Sequence, residues 1–212
     1  MSLPLLVLGL FIFSLGIVFT LHSSLGLGPW DVLHQGLSGR ISLTFGQTSI
    51  LVGGVLILIT VLLGERPGLG TVLNMVLIGL FVDAIQWTRL VPEGAGRSVV
   101  VRFAMDVGGV AAVGAGSALY IKAGLGAGPR DSLMLGLHRH TGLRVGWVRT
   151  AIEVSALIVG YLLGGTVGVG TAIFALGIGP AVDAAFRLFD VHPHPPPTDR
   201  RSSIAHGPTD GV

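Results

Sequence analysis

The chain contains no cysteine, so disulfides, thiolate nucleophiles and cysteine-ligated metals are excluded. Charge is scarce: Asp, Glu, Lys and Arg make up 11% of 212 residues, against about 25% in an ordinary globular domain. Such a chain cannot cover a soluble surface, and it is too apolar to be disordered. Basicity is equally thin. The pI is near 9.7, but the formal charge is only +2, too little for a nucleic-acid face. Enzyme signatures are missing as well. There is no His-Glu-x-x-His, no phosphate loop ending in Lys-Ser/Thr and no Gly-x-Ser-x-Gly. No cofactor or metal is therefore expected, and an enzyme is not.

What is present is apolar length. Half of the residues are hydrophobic and the mean hydropathy is +0.80. A helix needs roughly 20 apolar residues to cross about 30 Å of hydrocarbon. Six stretches qualify: 3–21, 46–63, 70–87, 101–121, 146–163 and 170–189. The first lacks the basic lead and cleavage site of a signal peptide. The composition implies an all-α polytopic membrane protein whose first partner is the lipid bilayer. With the N-terminus in the cytoplasm, nine of the 13 Lys and Arg fall on the cytoplasmic side, leaving Arg40, Arg89, Arg97 and Arg102 outside. The positive-inside rule thus places both termini in the cytoplasm. The last stretch, 191–212, carries His192, His194 and His206 among prolines and polar residues, and reads as a disordered cytoplasmic tail.

The sequence also repeats itself at a spacing of 100. Leu25-Gly26-Leu27-Gly28-Pro29-Trp30-Asp31 falls on Leu125-Gly126-Ala127-Gly128-Pro129-Arg130-Asp131. Gly68, Gly70 and Thr71 fall on Gly168, Gly170 and Thr171, and Val82-Asp83-Ala84 falls on Val182-Asp183-Ala184. The expected organisation is a first three-helix repeat over 1–90, a linker over 91–100 and a second repeat over 101–190. Three spans per unit is an odd number, so the second unit enters from the opposite side and the repeats are inverted. Transporters built this way keep their site near the midplane, where the halves meet.

Each unit carries a short Gly-Pro-x-Asp segment, at 26–40 and 126–140. Pro29 and Pro129 suit a first helical position, where the missing N–H would be unpaired. Asp31 and Asp131 then sit in the first turn and complement the helix dipole. These helices are too short to span. They lie flat on the two membrane surfaces, or dip inward as half-helices with Gly28, Pro29, Gly128 and Pro129 leading into a shared cavity. The surface placement is the plainer expectation. The two segments differ at one telling place, where Trp30 is matched by Arg130.

Ionisable groups within spans are candidates by default. Arg102–Asp106, Arg149–Glu153 and Asp183–Arg187 are each four apart and can pair along one face. Asp83 has Trp87 at that spacing and must look to another helix, water or a proton. Glu153 stands where the first copy has Gly53. Substrate or coupling candidates are Asp31, Asp83, Arg130, Asp131, Arg149, Glu153 and Asp183. Asn74 suits an interhelical hydrogen bond, and the 34 glycines allow close helix approach. Pro180 is expected to kink the sixth span. His138-Arg139-His140 suits lipid phosphates better than a metal. Trp87 and Trp147 suit interfacial belts.

The run Gly26-Leu27-Gly28-Pro29-Trp30-Asp31-Val32-Leu33, then a glycine-rich span and Gly68-Leu69-Gly70-Thr71, resembles the bacterial YczE/YyaS/YitT membrane proteins, nearest the YczE branch. The resemblance covers most of 1–190, leaving out the tail; the second copy departs from the motif at Arg130. It implies a bacterial inner-membrane protein and bears on location more than on activity. Two functions stay open. One is a transporter or facilitator of an unidentified small solute, coupled to protons through Glu153 and Asp83, with Arg130 attracting an anionic or polar group. The other is a non-transporting partner or scaffold of an inner-membrane complex. Six short glycine-rich spans make a small bundle, which is compatible with a homodimer.

Overall fold

The computed structural model describes residues 3–126 and 128–191. The tail histidines, and Ala127 in the second motif, lie outside the described residues. Eight helices and no strand occur among those described: α1 (Leu3–Ser23), α2 (Pro29–Ile41), α3 (Phe45–Leu62), α4 (Leu69–Trp87), α5 (Val99–Lys122), α6 (Pro129–Thr141), α7 (Val145–Leu162) and α8 (Val169–Leu188). Six are long and apolar enough to cross a membrane; α2 and α6 are the short pair. The protein is an all-α multi-pass membrane protein.

The sequence repeat is written into the backbone. The helix pairs α2/α6 and α3/α7 begin and end 100 residues apart. Left-handed residues recur at the same spacing: Ser24 with Gly124, Gly26 with Gly126, Ser42 with Gly142 and Gly64 with Gly164. Gly26 (φ 121°) and Gly126 (φ 126°) hold a conformation that a Cβ would oppose. They turn the chain out of α1 and α5 and into Pro29 and Pro129 at the head of each half-helix. Helices α4 and α8 start alike, with Thr71 and Thr171 hydroxyls accepting the Gly68 and Gly168 N–H at 3.2 Å. Helix α8 continues through Pro180.

Helices α1 and α5 form the centre. A Cβ on Gly9 would strike the backbone at Gly116, and one on Gly16 would lie 2.6 Å from the Gly109 carbonyl. Residues 9 and 16 thus meet the mates of one another, which requires the helices to run antiparallel. Ser23 against Asp106 follows the same reversed order, and Phe13 sets its ring edge-on against Tyr120 across the crossing. Small residues at the crossing let the backbones touch, and dispersion at that distance replaces the hydrophobic drive that lipid cannot supply.

Around this pair the units exchange partners: α2 packs on α7, and α6 on α3. The Gly70 N–H donates to the Leu125 carbonyl at 2.9 Å, and the Gly170 N–H to the Leu25 carbonyl at 2.8 Å. One extensive contact is not repeated. Helices α3 and α4 are packed together, whereas no comparable packing joins α7 to α8.

Candidate functional site

The half-helix N-termini do not lie apart on two surfaces. They converge on one cavity of about 290 Å³. The Arg130 guanidinium sits 5.0 Å above the Trp30 ring, a distance that two faces of a bilayer about 30 Å apart would forbid. The expectation of flat surface helices is therefore overturned. The exchanged packing of α2 on α7 and α6 on α3 turns both N-termini inward. Positions 30 and 130 are repeat mates, so a pair in which the two copies differ in chemistry meets at the centre. Another pair of mates flanks it: Phe174 lies against Gly28, and Asn74 against Gly128. One wall is apolar where its counterpart is amide.

Asp31 is 4% exposed. Its Oδ1 faces the Arg130 Nη2 at 3.9 Å and the His34 Nδ1 at 3.7 Å, both beyond hydrogen-bond range. Neither that oxygen nor the His34 Nδ1 has a hydrogen-bond partner. The His34 ring is itself buried, 2% exposed, and packs edge-on against Phe45 at 5.7 Å. Arg149 and Glu153 from α7 close the far side of the cavity, paired at 3.0 Å and both accessible.

Of the residues marked in the sequence, Asp31, Arg130, Asp131, Arg149 and Glu153 line this cavity, together with Gly28, Pro29, Gly128 and Pro129. Asp83 and Asp183 do not line it. Asp83 finds its partner on another helix: Oδ1 accepts the Gly46 N–H at 2.8 Å and Oδ2 accepts the Thr44 hydroxyl at 2.5 Å. It caps the start of α3 and holds α4 against it, with Gly79 and Gly46 in contact. Asp183 is exposed, and a Cβ on Gly146 or Gly179 would meet nothing within 4 Å.

The three local ion pairs fare differently. Arg149–Glu153 forms. Arg102–Asp106 does not, because Arg102 donates instead to the Ser23 and Ser24 carbonyls at 2.8 and 2.6 Å, where the end of α1 offers unpaired acceptors. Asp183 and Arg187 make no ion pair either, and both stand exposed on α8, which packs on α5 but not on α7. The expected phosphate cluster is also redirected: Arg139 pairs with Glu65 at 2.7 Å, tying α6 to the α3–α4 turn. No metal-holding group of His, Asp and Glu occurs among the described residues. Trp87 and Trp147 are 86% and 69% exposed at span ends, in keeping with belts.

Sequence reasoning missed His34 and Tyr120 as lining residues. The first was accessible in principle, since position 34 is one turn from Asp31. The second comes from the α1–α5 crossing, which no local pattern reveals.

A family model matches the chain over residues 1–187, a range that includes every residue lining the cavity. The chain belongs to the family of unknown function DUF6198. Among its relatives, it is 39% identical over 170 residues to the uncharacterized membrane protein YczE of Bacillus subtilis, covering 79% of this chain and 77% of that one. It is 36% identical over 195 residues to an uncharacterized protein of Haemophilus influenzae, covering 92% and 88%. It is 27% identical over 168 residues to YyaS of Bacillus subtilis, covering 78% and 83%. No solved structure matches. The YczE and YyaS relatives agree with the resemblance read from the motif.

Proposed function

We propose that this DUF6198 protein is a transporter or facilitator of a small solute, working by exchange between two equivalent gates. One observation carries the reading: a single cavity lies between the half-helix N-termini, with α3–α4 latched at Asp83 and α7–α8 parted at Asp183. Three spans per unit, and α1 antiparallel to α5, support an inverted duplication. In inverted repeats one gate closed and its mate open means access from one side only.

The side chains suit the reverse arrangement. In the closed gate Gly53 receives the Met75 side chain. In the open gate the mates are Glu153 and Ala175, so large and small are exchanged. Closing α7 on α8 would set Glu153 over Ala175 and bring Asp183 to the Gly146 N–H. Proton coupling would run through Glu153 and the Asp83 latch. The bias of Lys and Arg supports both termini in the cytoplasm, and the family resemblance supports the bacterial inner membrane.

The test is flux into liposomes holding the purified protein, across a panel of small solutes with and without a pH gradient. Flux lost in R144C/D183C after oxidation, and restored on reduction, is the expected result. No flux in any arm, with a stable partner co-purifying, would favour the scaffold reading instead.

A further inference from the structure

Three carboxylates, Asp31, Asp131 and Glu153, line the cavity against two arginines, Arg130 and Arg149. Arg149 is committed to Glu153 at 3.0 Å. Arg130 is shared between Asp31 and the Trp30 face without coming within hydrogen-bond distance of the Asp31 Oδ1. One carboxylate is thus in excess, and the Asp31 Oδ1 is buried with no donor. A buried acceptor left in this state is costly and asks for an N–H. The nearest nitrogen that could donate, His34 Nδ1, is itself unpartnered at 3.7 Å. Around these groups stand the aromatic rings of Trp30, Tyr120, Phe13 and Phe174, faces that attract cations.

We propose that the cavity binds a small organic cation bearing N–H donors, of the alkylammonium or alkylguanidinium class, which donates to Asp31 and displaces the Arg130 guanidinium from the Trp30 face. Arg130 is the tethered stand-in for that ligand in the empty site. An anion is disfavoured at the same place, because Arg130 is already opposed by carboxylates and the orphaned Asp31 oxygen is an acceptor. The inference rests on reading this cavity as a solute site, and it is tested by binding rather than by transport.

Trp30 reports directly once the two exposed tryptophans are replaced. In W87F/W147F protein in nanodiscs, Trp30 emission is titrated with methylguanidinium, ethylammonium, tetramethylammonium and acetate. Methylguanidinium and ethylammonium should give saturable changes. Tetramethylammonium, which has no N–H, should bind about tenfold more weakly, and D31N should lose at least as much. R130Q should bind both N–H cations more tightly, a gain that misfolding cannot imitate. Equal binding of tetramethylammonium, binding of acetate that R130Q abolishes, or no response to any titrant would each overturn the proposal. Saturable binding with no flux in liposomes would leave the ligand class standing and remove the transport reading.

Discussion

Asp83 and Asp183 occupy the same place in two copies of one design, and they do opposite things. Asp83 accepts two hydrogen bonds at the start of α3 and draws α4 onto it; Asp183 stands exposed on α8, away from α7. The glycines beside them follow suit: Gly46 and Gly79 are in backbone contact, whereas Gly146 and Gly179 face open space. Equal residues in unequal states show that the local motif does not dictate the contact. The helix-start partners differ, Thr44 against Arg144, and so do the facing pairs, Gly53 and Met75 against Glu153 and Ala175. The two copies have diverged at the residues around these contacts.

Substitution at the paired glycines should break this comparison most sharply. Gly46→Leu forces a side chain into the Gly79 backbone and should cost about 3 kcal/mol or more, seen as a large fall in the thermal midpoint in detergent. Gly146→Leu meets nothing in the open state and should leave the midpoint within the small range of surface changes, about 0.5 kcal/mol. If the gates exchange, that same variant nevertheless abolishes flux by wedging α7 from α8. A harmless Gly146→Leu in both assays would leave the open gate without a function.

Next comes the latch. Asp83→Asn keeps the shape and loses a charged acceptor, at a cost of about 1–3 kcal/mol; Asp183→Asn should be nearly silent in the same thermal melt. Equal effects would mean that both gates are latched in solution. Smaller still is the open-side ion pair. Glu153→Gln removes an accessible contact four residues along one helix and should change stability by about 0.5 kcal/mol or less. A larger loss would show that Glu153 is held in a closed gate. The geometry of the repeat is read without any energy change. In a chain without cysteine, S38C and H138C should label with an impermeant thiol reagent from opposite sides, Ser38 from outside intact cells and His138 from inside-out vesicles. Labelling from one side would show that a span fails to cross and would remove the inverted arrangement.

Much of the fold was legible before any coordinates, because lipid leaves the backbone little choice. Apolar length sets the spans, Gly-Pro sets the starts of α2 and α6, and duplication repeats both. Hence 46–63 and 146–163 match α3 and α7 within a residue at each end. Five of the seven charged candidates in the sequence do share one cavity. What the sequence left open or misplaced was the partner: spacing along a helix offered Asp106 to Arg102, while Asp83 had none at that spacing and Arg139 was read as facing lipid phosphates. Arg102 chose the carbonyls that end α1 over Asp106, Asp83 chose the head of α3, and Arg139 chose Glu65.

The pattern of residues therefore settled which segments are helical, which are too short to cross, and that everything occurs twice. Tertiary packing settled that the two half-helices point at one another, that Trp30 carries Arg130, that Asp31 keeps an oxygen without a donor, and that α3 closes on α4 while α7 stands apart from α8. Spacing along a chain specifies neighbours within a helix to a few ångströms. Which distant helix supplies a hydrogen bond depends on how closely two backbones can approach, and here glycines scattered over 100 residues of sequence set that distance.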